Sequence, residues 1–460
     1  MRIAGTRVRG TAVAYVVFED ALIVGALLGA FAFAHYGSIR FVASPLRLLP
    51  GLALLLSIKA AFFWCGLYDF RHLVPRATFW RRLFAGFLLS GLAAWGFCSV
   101  MVGERLACLT FLSVFIPLIA LARVGYEVVS RTRGFRRRLL FLGVGDHAQR
   151  TARELLAERS RDFDLVGFLG SKPEEKGWRI GGRPVLGSYD EVERVAAEHR
   201  IDRIVVAVAD RRSGQFPLEA LLNVRLSGVE IVEEAKVHEE IAGKIPVEDL
   251  RPSWLIFSDG FSNSRLRNLN KRAFDVVVAA AGLLLSAPLA ALVALAIRLD
   301  SKGPILFRQK RVGQGGKEFT LCKFRSMRPD AEAGGRPQWA QKDDPRVTRL
   351  GRFLRKSRLD EIPQMWNVLQ GTMSFVGPRP ERAFFVQELR KRIPFYDQRH
   401  AVKPGITGWA QVRFRYGADE TDAVEKLRHD MFYIKHHGIL FDLRILLETV
   451  RVVLRRDMGR

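Results

Sequence analysis

Residues 355–369 read RKSRLDEIPQMWNVL, with two adjacent carboxylates, Asp360 and Glu361, directly behind Arg355, Lys356 and Arg358. The bland reading is the start of a helix. Asp360 caps it, Glu361 suits the positive end of the helix dipole, and Pro363 is tolerated where amides lack intrahelical partners. The chemical reading starts from the cations. Beside several arginines a carboxylate is expected to have a lowered pKa and stay ionised. It could then attack a phosphorus atom, provided cations neutralise the substrate's own charge. Its neighbour Glu361 could hold Mg²⁺, which takes oxygen ligands and bridges phosphates.

Groups suited to phosphate recur nearby. GPILFRQKRVG supplies Arg308, Lys310 and Arg311. KFRSM supplies Lys323 and Arg325, two residues apart and so on one side of a strand. GRFLRKSRLDE supplies Arg352, Arg355, Lys356 and Arg358, VGPRPE holds Arg379 between two prolines, and QVRFR adds Arg413 and Arg415. Any one of these alone reads as a solvated surface cation. Their recurrence beside glycine- and proline-rich loops points to phosphate, because guanidinium forks bind it bidentately and rigid loops position them. Asp330, Glu332, Asp343 and Asp344 are further acids, read as solvated loop residues.

The elements that must position these groups follow from composition. The 460 residues carry 72 Lys+Arg against 47 Asp+Glu, a formal net charge of +25. Hydrophobic residues make up 49% and charged ones 26%, which requires the two kinds to be segregated along the chain. The basic excess admits a phosphorylated substrate, an anionic lipid or a nucleic acid as partner. No nucleic-acid motif is present, and the charge surrounds apolar segments rather than forming a tail. Cys65, Cys98, Cys108 and Cys322 make no CxxC pair, so neither a disulfide framework nor a zinc site is expected.

Apolar stretches at about 13–35, 48–67, 83–103 and 106–126 each approach the roughly 20 residues a helix needs to cross the hydrocarbon core. The first is the least pure, since it contains Glu19 and Asp20. Three further spans follow it with no small-residue cleavage site, which argues against a signal peptide. Flanking cations (Arg2, Arg7 and Arg9; Arg71 to Arg82; Arg131 to Arg138) put both ends of this unit in the cytoplasm. Residues 135–255 alternate short strands and helices, the pattern of a parallel, Rossmann-like α/β module. Its Gly143-x-Gly145-x-x-Ala148 turn is like a dinucleotide fingerprint, but no acid ends the second strand, so no cofactor is assigned. After a linker at 256–272 comes a fifth apolar run, 275–298, with cations at both ends and Pro288 at its centre. The expectation is a helix that enters the membrane, breaks near Ser286–Pro288 and returns, with an ordinary spanning helix as the alternative. The fold class expected is thus a membrane protein, α plus α/β. Four transmembrane helices occupy 1–134, and a domain at 273–460 is anchored by a re-entrant hairpin.

The motifs GPILFRQKRVGQGGKEFTLCKFRSM, DAE at 330–332, RLDEIPQMWNVLQGTMSFVGPRPE and KPGITGWAQV, in that order, resemble the bacterial sugar transferase family of polyprenyl-phosphate hexose-1-phosphate transferases. The likeness covers about 271–460, and the preceding spans and module resemble the large membrane-embedded members. SWLIFSDGF further resembles the branch associated with exopolysaccharide and exosortase systems.

The resemblance implies that Asp360 attacks the β-phosphate of a UDP-sugar, releases UMP and passes the phosphosugar to undecaprenyl phosphate. Glu361 would then be the Mg²⁺ ligand, and Lys323, Arg325, Arg355, Arg379, Arg413 and Arg415 the substrate- or phosphate-binding cations. The family's Ser-Pro break is Ser286-Ala287-Pro288 here. A bacterial inner-membrane location follows, with the catalytic domain on the cytoplasmic side. Glucose is the sugar expected on family frequency, and the oligomeric state, a homo-oligomer included, stays open. A nucleotide-sugar epimerase or dehydratase is disfavoured, since none of the eight tyrosines has lysine four residues on. A non-catalytic scaffold for polysaccharide assembly is the remaining alternative.

Overall fold

The four N-terminal apolar stretches form helices, which satisfy their backbone groups within each segment. In the computed structural model of the chain these are α1 (Gly10–Ala34), α2 (Pro45–Trp64), α3 (Arg76–Val100) and α4 (Arg105–Arg131). The structure describes residues 2–3, 6–7, 10–34, 45–68, 75–100, 105–131, 136–157, 163–208, 216–247, 260–261, 264–328, 344–414 and 420–454. The chain divides into two compact units, essentially 8–237 and 238–460.

In the first unit the helices bury Ile23, Ile58, Phe62 and Ile119, while Phe84, Leu92, Trp95 and Leu121 stay exposed on the outside. Glu19, fully buried, accounts for the impurity of the first stretch. It accepts from the Tyr68 hydroxyl at 2.7 Å and from Nη2 of Arg123 at 2.8 Å, with Lys59 at 3.5 Å. Nη1 of Arg123 donates to the Leu67 carbonyl at 2.7 Å, and Arg82 donates to the Gly66 carbonyl at 3.2 Å. These bonds gather the end of α2 and the start of α3 at one end of the bundle, eight residues before the end of α4. Polar groups inside and leucines outside is the inverse of a water-soluble bundle.

The same unit holds a six-stranded sheet. Its strands are β1 (Arg137–Leu142), β2 (Phe163–Gly170), β3 (Arg179–Ile180), β4 (Arg183–Ser188), β5 (Arg203–Val206) and β6 (Glu230–Glu233). The order is β3-β4-β2-β1-β5-β6, parallel except for the short β3, with helices α5 (Asp146–Ala157), α6 (Val192–Glu198) and α7 (Leu218–Leu226) in the connections. The five parallel strands therefore follow the doubly wound Rossmann order, with the switch point at β1. Gly143 leaves β1 at φ +120°, and a Cβ there would lie 2.8 Å from the Ala207 carbonyl oxygen, so the turn needs glycine.

Helix α8 (Glu234–Ala242) carries the chain into the second unit, earlier than the boundary expected at 255. The reason is burial: Ile245 and Val247 are fully enclosed in that unit's core with Trp409, Leu427, Phe432 and Phe441. Glu239 is held by Lys435 Nζ at 2.7 Å and by Nε2 of His436 at 2.5 Å. The indole of Trp409 donates to the Gly243 carbonyl at 2.7 Å. Residues 238–247 are thus a strap built into this core rather than an outer edge of the α/β module.

The rest of the second unit begins with α9 (Arg265–Asp300), a single 36-residue helix. Among the described residues it alone is long and apolar enough to cross a membrane. The break expected near Ser286–Pro288 is not present in its secondary structure: the helix runs through Pro288, which removes one hydrogen bond without ending it. Both ends of α9 are fastened to the same domain. Near its start, Arg272 donates to the Val368 and Leu369 carbonyls, and Asp275 accepts from the Ser374 hydroxyl and the Phe375 amide. Near its end, Val293 and Ile297 pack with Phe324, Leu354 and Ile362. Leu284, Leu285 and Leu289, between these attachments, are exposed.

Then come the hairpin β7 (Leu306–Val312) and β8 (Glu318–Phe324), α10 (Arg349–Ser357), α11 (Gln364–Gln370), β9 (Ser374–Val376), α12 (Ala383–Arg392) and β10 (Gly405–Thr407). The chain closes with α13 (Trp409–Arg413), α14 (Glu420–His436) and α15 (Ile439–Leu454). Helix α15 buries Phe441 and Ile445 in the core and keeps Leu440, Leu443 and Leu447 exposed.

Trp409→Phe removes the donor to the buried Gly243 carbonyl, at a cost of about 1–2 kcal/mol. The expected outcome is a lower melting temperature and faster amide hydrogen exchange across 238–247. Unchanged exchange there would contradict the strap's attachment.

Candidate active site

The site is built around the connection from α10 to α11. Thr348 caps α10 by accepting from the Gly351 amide at 2.9 Å. A Cβ at Gly351 would overlap the Ser326 carbonyl, so α10 lies backbone to backbone on the segment following β8. This close approach lets Nε of Arg355, in the last turn, donate to the Ser326 hydroxyl at 2.9 Å. The helix ends at Arg358, which takes the left-handed conformation at φ 59°. A short 3-10 turn, Leu359–Glu361, follows, and Pro363 precedes α11.

Asp360 is therefore in a turn between helices rather than at a helix cap, and it is 6% exposed. Its Oδ1 is buried and meets no hydrogen-bond donor among the described residues. Burial and the adjacent Glu361 push its pKa up to about 6, against the pull of Lys323, Arg355 and Arg358. This reverses the lowered pKa expected from the neighbouring arginines: loss of hydration outweighs their attraction. Glu361 is different. Its Oε1 accepts from Nη1 of Arg358 at 3.0 Å and from Nη2 of Arg379 at 3.5 Å. Lys323 leaves β8 toward the same centre, with Nζ 5.2 Å from the Phe307 ring centroid. Burial first, and then Arg355, Arg311 and Arg379, lower its pKa to about 8, despite Asp360.

Arg379 is presented by a tethered loop. The Val376 carbonyl accepts from Lys271 at 3.2 Å and from the Tyr433 hydroxyl at 2.8 Å. The Arg379 carbonyl accepts from buried Arg399 at 3.1 Å, and the Pro380 carbonyl from Arg311 at 3.2 Å. Arg399 is in turn fixed by Asp430 at 2.9 Å.

The structure thus brings Asp360, Glu361, Lys323, Arg355 and Arg379 together, and adds Arg358. Other candidates are placed elsewhere. Strand β8 ends at Phe324, so Arg325 does not share a strand face with Lys323; its guanidinium donates to the carbonyls of Ser301 at 2.7 Å and Lys302 at 2.9 Å, closing the end of α9. Arg413 stacks on Trp409 at 4.4 Å and meets Glu448 at 3.5 Å. Asp344 is chelated by its neighbour Arg346, which holds its carboxyl at about 2. Arg415, Asp330, Glu332 and Asp343 lie outside the described residues. Arg399 and Gln411, whose Oε1 accepts from Nη1 of Arg379 at 3.3 Å, were missed. Only Gln411 had a local signal, its place in KPGITGWAQV.

Among the described residues no group of three His, Cys, Asp or Glu could hold a metal ion. A divalent ion bound by one or two carboxylates together with substrate phosphates needs no such group. Glu361, a single carboxylate whose arginine bonds at 3.0 and 3.5 Å both fall on Oε1, fits that mode.

The family described as bacterial sugar transferase matches residues 266–456, and one described as CoA-binding domain matches 64–216. The UDP-N-acetylgalactosamine-undecaprenyl-phosphate N-acetylgalactosaminephosphotransferase of Aeromonas hydrophila is 37% identical over 277 residues, 60% of this chain and 62% of its own length. This chain therefore matches less than two thirds of that relative. The undecaprenyl-phosphate glucose phosphotransferase of Komagataeibacter xylinus is 33% identical over 390 residues, 83% of this chain and 70% of its own. The exopolysaccharide production protein PSS of Rhizobium leguminosarum bv. phaseoli is 43% identical over 198 residues, 41% of this chain and 97% of its own.

Because folding raises the pKa of Asp360, its carboxyl favours the folded state below about pH 4 and opposes it as pH rises through 6. The opposition levels off at about 3 kcal/mol. Asp360→Asn is accordingly expected to melt higher than the wild type at pH 8, with the gain vanishing toward pH 4. Equal melting temperatures at pH 8 would refute the buried, uncompensated carboxylate.

Proposed function

The chain belongs to the bacterial sugar transferase family, and from that premise we propose that it moves a hexose 1-phosphate from a UDP-sugar to undecaprenyl phosphate. The observation that carries this reading is the buried Asp360, with an unpartnered oxygen, among Lys323, Arg355, Arg358 and Arg379. In the first displacement Oδ1 of Asp360 forms a bond to the β-phosphorus of the donor. The bond from that phosphorus to the bridging oxygen breaks, and UMP leaves with the electron pair. In the second, a phosphate oxygen of the lipid attacks the same phosphorus and the carboxylate departs unchanged. One nucleophile thereby divides the transfer into two steps at one site. The cations neutralise the charge that would otherwise repel an attacking carboxylate. Glu361 would hold Mg²⁺, which supplies further neutralisation of the diphosphate when bound.

The membrane fits the same scheme. A helix spanning the bilayer needs about 20 residues free of its own domain. The attachments at Asp275 and Ala279 on one side and Val293 on the other leave at most residues 280–292 of α9 free between them. We take α9 as re-entrant and shallow, bent at Pro288 without loss of its helical run so that it enters and leaves on the cytoplasmic side. On their flanking cations and outward-facing leucines we take α1–α4 as spans. A shallow anchor lets one centre meet a cytosolic nucleotide sugar and a lipid phosphate at the bilayer surface. UDP-glucose is the donor to try first, and the start of exopolysaccharide synthesis is the role it would serve.

Detergent-purified protein with undecaprenyl phosphate, Mg²⁺ and a panel of UDP-sugars should release UMP with at least one donor. Asp360→Asn should abolish this release while remaining folded; near-normal turnover in that mutant would sink the covalent route. The rate should rise through about pH 6 as Asp360 ionises and fall above about 8 as Lys323 loses its charge. A flat profile between 5 and 9 would count against both assignments. For topology, a cysteine replacing Asp300 should be labelled only from the cytoplasmic side, and periplasmic labelling would restore a spanning α9.

A further inference from the structure

Gln411 stands on α13, two residues beyond Trp409. Its Oε1 accepts from Nη1 of Arg379 at 3.3 Å, while Nη2 of the same guanidinium donates to Oε1 of Glu361 at 3.5 Å. A guanidinium only donates, so the amide must turn its oxygen to Arg379 and its NH₂ elsewhere. That nitrogen is buried, and among the described residues it finds no acceptor. Buried polar atoms are nearly always paired, so an exception beside a reactive centre asks what pairs it. Oδ1 of Asp360, in the same centre, is a second exception and of opposite kind, an acceptor without a donor. Arg379 and Glu361 connect the two.

Resting on the transferase reading above, we infer that Nε2 of Gln411 donates to a non-bridging oxygen of the phosphoryl group being transferred, with Arg379 locking the amide's orientation. Gln411 keeps its protons throughout. The bonds that form and break remain those between phosphorus, Asp360 and the leaving or entering oxygens. A neutral donor has an advantage here. It draws charge on the phosphoryl oxygen without adding another cation to hold the Asp360 carboxylate. Because the phosphoryl group rearranges in the transition state, this bond acts on kcat more than on KM.

The test compares UMP release by full-length wild type, Gln411→Glu and Gln411→Met at saturating UDP-sugar and lipid phosphate. Glutamate is the same size and offers Arg379 a charge-assisted acceptor, so the arginine stays in place and the fold is kept, but it has no N–H to give. The expected result is a kcat lowered at least about tenfold in Gln411→Glu, the scale of one hydrogen bond to a charged group. Gln411→Met should fall comparably, with KM for the UDP-sugar little changed in both. If Gln411 serves only to hold Arg379, Gln411→Glu will turn over like the wild type while Gln411→Met fails, and the inference is overturned. A loss confined to KM, or a changed ranking of UDP-sugars, moves the amide onto the sugar and overturns it too. Wild type that releases no UMP from any UDP-sugar defeats the transferase reading itself, a failure seen without any variant.

Discussion

A buried carboxylate oxygen with no hydrogen bond among the described residues, Oδ1 of Asp360, is the constraint around which the second unit is arranged. Hydrogen bonds would make that oxygen comfortable and a poor nucleophile; without them it needs charge supplied from a short distance. Lys323, Arg355 and Arg358 provide it. Glu361, one residue on, has the opposite surroundings, with two guanidinium groups bonded to it directly. Two adjacent acids are thereby given two characters by environment alone. Each cation then needs a support of its own. Arg355 has the Ser326 hydroxyl and the close packing at Gly351, and Arg379 has the loop between Val376 and Pro380.

Those supports also fasten the apolar helix. Lys271 and Asp275, both near the start of α9, bond the two sides of β9: Lys271 meets the Val376 carbonyl, and Asp275 the Ser374 hydroxyl and Phe375 amide. Arg272 closes the end of α11, a helix that begins three residues beyond Glu361. At the other end of α9, Arg325 closes its last carbonyls, one residue before the Ser326 that holds Arg355. The anchor and the reactive turn share attachment points, so a displacement of α9 reaches the site through bonds of two or three residues.

Much of this was legible in the sequence where residue type and spacing carry it. The Asp360–Glu361 pair, Lys323, Arg355 and Arg379 are found together, and the alternation that begins at 135 is the doubly wound sheet as far as Glu233. What was hidden depended on the third dimension. The rise in Asp360's pKa needed its burial, which a run of neighbouring arginines argues against. Arg325 looked like a partner of Lys323 until β8 stopped one residue short of it. The strap at 238–247 joins Trp409 from more than 160 positions away in sequence, a pairing no local pattern announces. Proline at 288 signalled a break, yet a proline removes only one hydrogen bond, and the helix continues through it.

The net charge of +25 shows why counting cations overstates a phosphate site. Several buried or half-buried arginines bond backbone carbonyls. Arg123 donates to the Leu67 carbonyl, Arg272 to Val368 and Leu369, Arg325 to Ser301 and Lys302, and Arg399 to Arg379. Most of these carbonyls lie at or just beyond the end of a helix, where the last four acceptors of a helix have no intrahelical partner. A guanidinium suits them because its planar fork reaches two oxygens at once and is weakly hydrated. An arginine near a helix end is therefore a cap by default, whatever glycines surround it. Around the reactive turn the arginines are used differently: Arg358 and Arg379 reach Glu361 with their guanidinium groups, and Arg355 is set over the Asp360 turn by a serine hydroxyl. Arg123 and Arg399 also meet carboxylates, Glu19 and Asp430, but spend further donors on backbone carbonyls. The side-chain carboxylate or hydroxyl that holds Arg358, Arg379 and Arg355 exchanges for a phosphate oxygen, and a helix carbonyl does not.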